Sequence, residues 1–350
     1  MERAALIGGI ILAIVIALGS FARDSIHVSI DGEDFEFGAR RAAYVEPTAG
    51  QMAARTYAEN EVRVIYSASV VQVIPEDRQD ISVEITNPGR APMPEVETRD
   101  GRVVIDGRLS RRIDGCDDDG SVRLDGYGQL SRADLPQITI RTPRDVDADF
   151  RGAVFAEVGA SRSADLGFAG CGDASFGDVA GQATVDQAGS GDVRGGAVGS
   201  ANVDLAGSGS VTLGAVAGSL DVDVAGSGEF EAASVNGALD ASVAGSGDVR
   251  VLGGAITTAN VEIAGSGDIT INAPVERLEA DIAGSGTVDI PNTVGDIEAD
   301  FVGSGDVTVG RHTGSISQTT MGSGRVTVNN AAPAPPTPPQ PPSPPAATTP

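Results

Sequence analysis

The chain has 350 residues, 49 of them acidic and 24 basic, for a formal net charge of −25. Every base is arginine, there is no tryptophan, and four tyrosines and nine phenylalanines stand against 47 glycines, which excludes an ordinary aromatic core. So large an acid excess also excludes nucleic acid as a partner, because duplex affinity comes from basic side chains that release counterions.

The first feature in the chain is an uncharged run over residues 4–22, AALIGGIILAIVIALGSFA. Arg3 before it and Ser20-Phe21-Ala22 at its end fit a signal peptide with a small-residue cut. The run is also nearly long enough to span a bilayer, which takes ~20 residues. Cleaved signal and retained anchor both remain open, and either one exports the rest of the chain. That places it in the periplasm, the cell envelope or the medium, with membrane contact only through the N-terminal segment.

Residues 23–60 are polar and weakly patterned, and read as a stalk or linker. Residues 61–150 read as short strands, among them VVQVI at 70–74, ISVEI at 81–85, GRVVID at 101–106 and QITIRT at 137–142. Turn signals such as Asn87-Pro88-Gly89 and Asp114-Gly115 break them up. Their expected role is to cap the repeats over residues 151–330, since the open edge of a solenoid invites polymerisation.

From residue 189 the tripeptide Gly-Ser-Gly recurs at intervals of 18, 19, 19, 20, 19, 19 and 19, up to Gly322. A fixed period near 19 means a solenoid. Six, four and two residues before the first glycines from Gly207 to Gly303 stand apolar side chains such as Ala201, Val203 and Leu205, or Leu220, Val222 and Val224. Between them stand polar ones: Asn202 and Asp204, Asp221 and Asp223, Glu279 and Asp281. Strict period two is a strand with one wet face. Val193, Val211, Phe230 and Val249 start a second inward side, and Val198, Val216 and Val235 mark a third.

Three inward sides joined by tight corners predict an all-β fold, a right-handed parallel β-helix over residues 151–330 with about 19 residues per coil. The corner glycines are Gly189 and Gly191, Gly207 and Gly209, Gly226 and Gly228, Gly245 and Gly247, Gly265 and Gly267, Gly284 and Gly286, and Gly303 and Gly305. Glycine is needed there where the turn takes positive φ. One interval earlier Gly170-Cys171-Gly172 keeps the register with cysteine in the serine place. Residues 331–350 hold ten of the 19 prolines and read as an extended tail that cannot join a sheet.

The tandem G-S-G-[DE]-[VI] coils, preceded by that series of strands, resemble the putative auto-transporter adhesin, head GIN domain family over residues 60–330. The resemblance implies an exported bacterial β-helix with no assigned activity and no catalytic residues. An auto-transporter would carry a membrane barrel where this sequence has prolines.

The residues themselves suggest little chemistry. Cys116 and Cys171, in an exported chain, are candidates for a disulfide; two free thiols are the alternative. Asp114, Asp117, Asp118 and Asp119 have the wrong spacing for a calcium loop and read as a solvated acidic turn. His27 and His312 suggest no catalytic pairing and read as solvated. No catalytic, cofactor or specific metal residue is expected. The outward acids predict diffuse divalent-cation binding.

The expected function is a non-enzymatic envelope or surface protein, a structural or adhesin-like scaffold for an unidentified ligand. The alternatives are a carbohydrate-active enzyme of the cell surface, which would need a broken ladder with convergent carboxylates, and a scaffold that self-assembles through its coil ends.

Overall fold

A computed structural model describes residues 42–117 and 119–329. The expected signal or anchor at 1–22, Asp118 and the proline-rich stretch at 331–350 lie outside the described residues. The first strands are β1 (Gly50–Tyr57), β2 (Val62–Glu76), β3 (Ile81–Asn87), β4 (Glu95–Arg99), β5 (Arg102–Asp106), β6 (Ile113–Cys116), β7 (Val122–Leu124) and β8 (Gly128–Leu130). They are followed by β9 (Gln137–Pro143), β10 (Asp145–Val158), β11 (Ser163–Gly170), β12 (Ala174–Phe176) and β13 (Val179–Gly189). Beyond β13, strands repeat in the same order to Arg325–Val328.

These strands form a β-solenoid. Each coil strand pairs parallel with its counterpart one period later, so that Ala183, Val185 and Gln187 lie on Ala201, Val203 and Leu205. The next coil lies on these in the same register, Leu220, Val222 and Val224. The inward residues of all three sides are buried and form one continuous aliphatic cluster, with Phe230 and Phe301 among its largest members. Small branched side chains suit a thin core filled from three sides, where each buried Val or Ile contributes roughly 1.5–3 kcal/mol.

The corners are held by the backbone. The N–H of Ser246 donates to the carbonyl of Gly226 one coil earlier at 2.8 Å, and Ser266 does the same to Gly245. Gly226 and Gly245 have φ of +121° and +127°. A Cβ on Gly245 would stand 2.4 Å from the Gly226 carbonyl oxygen, so this place has no room for a side chain.

The solenoid begins earlier than the repeat. β10, which straddles the expected boundary between cap and coils at residue 150, is a coil strand throughout, in parallel register with β11, and it stacks in turn on β2. It lacks a second corner glycine, with Gly152 alone at the turn, and therefore shows no Gly-x-Gly signature. The cap proper is made by β5 and β9 stacked on β2, β3 and β1 folded antiparallel beyond β9, and β4 beyond β5. β1 lies inside the stretch expected to be a stalk. The described part of residues 23–60 thus belongs to the fold: Gly50–Tyr57 pairs with Ile81–Asn87.

A second, smaller core sits on the flank of the first coils. Leu109, Val122, Leu124, Leu130 and Leu135 pack with Phe155 and Ala153 under the β6–β8 sheet. Cys116 in β6 is bonded to Cys171 at the coil corner, with Cα atoms 5.7 Å apart. Tyr127 ties down the entering chain, because its hydroxyl accepts the N–H of Val45 and donates to the Val45 carbonyl.

At the other end Gln318 and Thr320 occupy inward positions. The Gln318 Oε1 accepts the N–H of Val326, and the Thr320 hydroxyl donates to the Gly324 carbonyl. The last coil thus closes on itself with polar groups.

Candidate functional site: the acidic face

The strand preceding each glycine corner presents its outward residues in columns. One column runs Asp186, Asp204, Asp223, Ser242, Glu262, Asp281 and Asp300, each the Cα partner of the next. Beside it runs Thr184, Asn202, Asp221, Asp240, Asn260, Glu279 and Glu298. The parallel register fixes the spacing at ~4.8 Å along the column and about 7 Å between columns. Next to the acids comes a column of alanines, Ala188, Ala206, Ala225, Ala244, Ala264 and Ala283, which keeps the face flat.

Arginines neutralise carboxylates elsewhere. Arg194 pairs with Asp192, Arg250 with Glu229 and Asp248, and Arg277 with Asp296 at the margin of the face. Among the described residues none of the acids from Asp186 to Asp300 in the first column has an arginine partner. Charge in this column is left to water, counterions and protons, and at Asp223 to a hydrogen bond with Ser242.

The consequence is visible in the acidities. Burial against neighbouring side chains, followed by repulsion from Asp204 and Asp165, pushes Asp186 up to about 7. Burial and the charges of Asp300 and Glu262 push Asp281 up to about 6. Asp221, Asp223 and Glu262 are raised for the same two reasons, burial first. At the head of the column Asp149, 4% exposed, is also raised because burial outweighs the Arg151 and Arg63 guanidinium groups beside it.

The other sequence candidates fall outside this face. Asp117 accepts from Arg123 and Gln129, and Asp119 accepts the N–H of Ser121, so these carboxylates are spent on the turn between β6 and β7. His27 lies outside the described residues. His312, expected to be solvated, instead stands in the row of the buried Val294, with its Nε2 buried. No group of three or more His, Cys, Asp or Glu residues is arranged to hold a metal ion among the described residues. No helix among them is long and apolar enough to cross a membrane. Sequence reading missed Gln187, a buried amide in an otherwise apolar row; a polar residue two places before the corner glycine was its only signal.

A family model described as putative auto-transporter adhesin, head GIN domain, matches residues 69–255 and 254–332. Among solved structures, a putative adhesin of Parabacteroides distasonis is similar at 14% identity and a TM-score of 0.39, covering 81% of this chain and 98% of that one. A putative adhesin of Parabacteroides merdae shows 15% identity and a TM-score of 0.39, over 80% of this chain and 95% of the other. A putative lipid binding protein of Parabacteroides distasonis shows 16% identity and a TM-score of 0.37, over 81% and 98%. No curated protein matches the chain.

Proposed function

Because the chain belongs to the putative auto-transporter adhesin, head GIN domain family, we propose that it is a non-enzymatic scaffold of the cell envelope or surface that presents its acidic face to a surface ligand. The observation that carries this reading is the unbroken register of the outward columns, which run through Asp204, Asp223, Glu262, Asp281 and Asp300 with no insertion on the face. A flat, repeated array offers many equivalent weak contacts, and such contacts add up by avidity rather than by one deep pocket. Divalent cations belong to the same reading, as a diffuse layer over carboxylates that have no arginine partners.

A carbohydrate-active enzyme would place one pair of carboxylates in two different environments on either side of a sugar. Here the carboxylates recur at the same register positions from coil to coil, on a strand face without insertions, which favours the scaffold. The test has two arms. Intact mass spectrometry on separated envelope and soluble fractions should find the chain in the envelope, and cells lacking it should attach less to a surface they normally colonise. Release of reducing ends from a panel of polysaccharides by the purified chain would overturn the reading in favour of an enzyme.

A further inference from the structure

We propose that Gln187 holds one internal water molecule beneath the Gly170–Gly172 corner. Gln187 stands in an inward row that reads Phe150, Phe168, Gln187, Leu205 and Val224 down the solenoid. Its side chain is as buried as its apolar neighbours, with the residue 2% exposed. An amide in such a place needs partners for both ends.

One end is satisfied. The Nε2 donates to the Gly191 carbonyl at 2.7 Å, across the glycine corner of its own coil. That bond fixes which way the amide points, because turning it over would set Oε1 against a carbonyl that can only accept. The Oε1 is thereby directed away from Gly191, and it is buried without a hydrogen-bond partner among the described residues.

A cavity of ≈ 10 Å³ lies at this point, lined by Gln187, Phe150, Phe168, Val154, Gly152 and Gly170. A water needs roughly 10–15 Å³ of such space and two to four polar neighbours. Gln187 Oε1 supplies one acceptor; the Gly152 and Gly170 carbonyls, which accept the N–H groups of Cys171 and Ser190 one coil on, each keep a second lone pair, and these are the further polar neighbours the proposal requires. The space arises from local packing. Phe150 and Phe168 stack with ring centroids 5.4 Å apart, and the glycines at the corner above have no side chains to fill the gap.

The same row repeats the device once, at the solvent end, where the Thr320 hydroxyl donates to Gly324 four residues on. Threonine has no second polar atom comparable to an amide oxygen, so only Gln187 calls for a further ligand.

The test is crystallographic, on the protein as it is and on Gln187→Leu, which copies Leu205 of the next coil. One ordered water about 2.7–3.2 Å from Oε1 is expected in the wild type. In Gln187→Leu the water is expected to be lost, with a Tm equal to or above that of the wild type. Wild-type density with no water and Oε1 on a protein donor would overturn the proposal, and this holds even if the variant fails to fold.

Discussion

Asp186 and Asp204 are Cα partners on adjacent parallel strands, and their carboxyl groups are in hydrogen-bond contact on the outer face of the solenoid. Two carboxylates can make that contact only if one carries a proton. The pair is one step of a column in which Asp204 and Asp281 each meet an acid above and below, while Ser242 separates Asp223 from Glu262.

A pH dependence arises from the pair and its column. Asp186 at about 7 and Asp281 at about 6 hold protons in the folded state that an unfolded chain releases near pH 4. The folded state thus binds more protons between pH 4 and 7, so stability falls as pH rises through that range. Below pH 4 the sign reverses, because Asp145, held at about 2 by its bonds to Arg162 and Ser163, loses its stabilising charge. Calorimetry should show a maximum Tm near pH 4 and a decline toward pH 8 that is shallower in Asp186→Asn. A Tm that rises from pH 4 to 8 would refute this.

Salt should stabilise the rod. Two charges ~4.8 Å apart repel by about 0.9 kcal/mol even at the dielectric of water. The Debye length shrinks from ~30 Å at 0.01 M salt to ~3 Å at 1 M. At pH 8 the Tm is expected to climb by several degrees over that range, and millimolar calcium should act without a defined stoichiometry. A Tm indifferent to both would contradict the account of the face.

The Cys116–Cys171 bond spans 55 residues of sequence. By loop-closure entropy a cross-link of that span stabilises by up to about 4 kcal/mol. Cys171→Ser keeps the corner in its repeat form and removes only the bond. Hydrogen exchange is expected to quicken first at Val122 and Leu124 in the small flank core, and last in the coils around Phe230. Uniform quickening along the whole chain would show that the flank module does not unfold by itself.

Glycine substitutions separate corner from surface. Gly245→Ala places a methyl 2.4 Å from the Gly226 carbonyl oxygen at a φ of +127°, while the nearest atom to a methyl on Gly253 is 3.5 Å away. Strain and displaced backbone together should cost Gly245→Ala about 2–4 kcal/mol. Gly253→Ala should change stability by less than ~1 kcal/mol. Equal denaturation midpoints for the two variants would dismiss the steric argument.

The repeated coils were legible because each states the same pattern again, so that Val203, Val222 and Val261 reinforce one inward position. β10 was not, since its turn at Arg151-Gly152 omits the paired glycines, and its stacking on β2 depends on a partner some eighty residues earlier. The acidic columns could be read directly from the alternation of Asp221, Val222 and Asp223. Their altered acidities could not, because these depend on how far each carboxyl sinks among its neighbours. The cap strands β1 and β4 pair through non-local contacts that no short window of sequence contains.

The two kinds of corner divide the labour of variation. Coil lengths differ by a residue, and the register shifts that absorb this fall between Val179 and Gln182 and between Gly237 and Ala238, just before the strand of the acidic face. The glycine corner absorbs none of it, since each first glycine from Gly189 to Gly322 stacks on its predecessor. One edge of the rod is therefore a spine and the other a seam. Whole coils can be gained or lost along the spine without changing the cross-section, and single residues at the seam without disturbing the carboxylate columns. A lineage of such proteins can thus tune its reach and its outline independently.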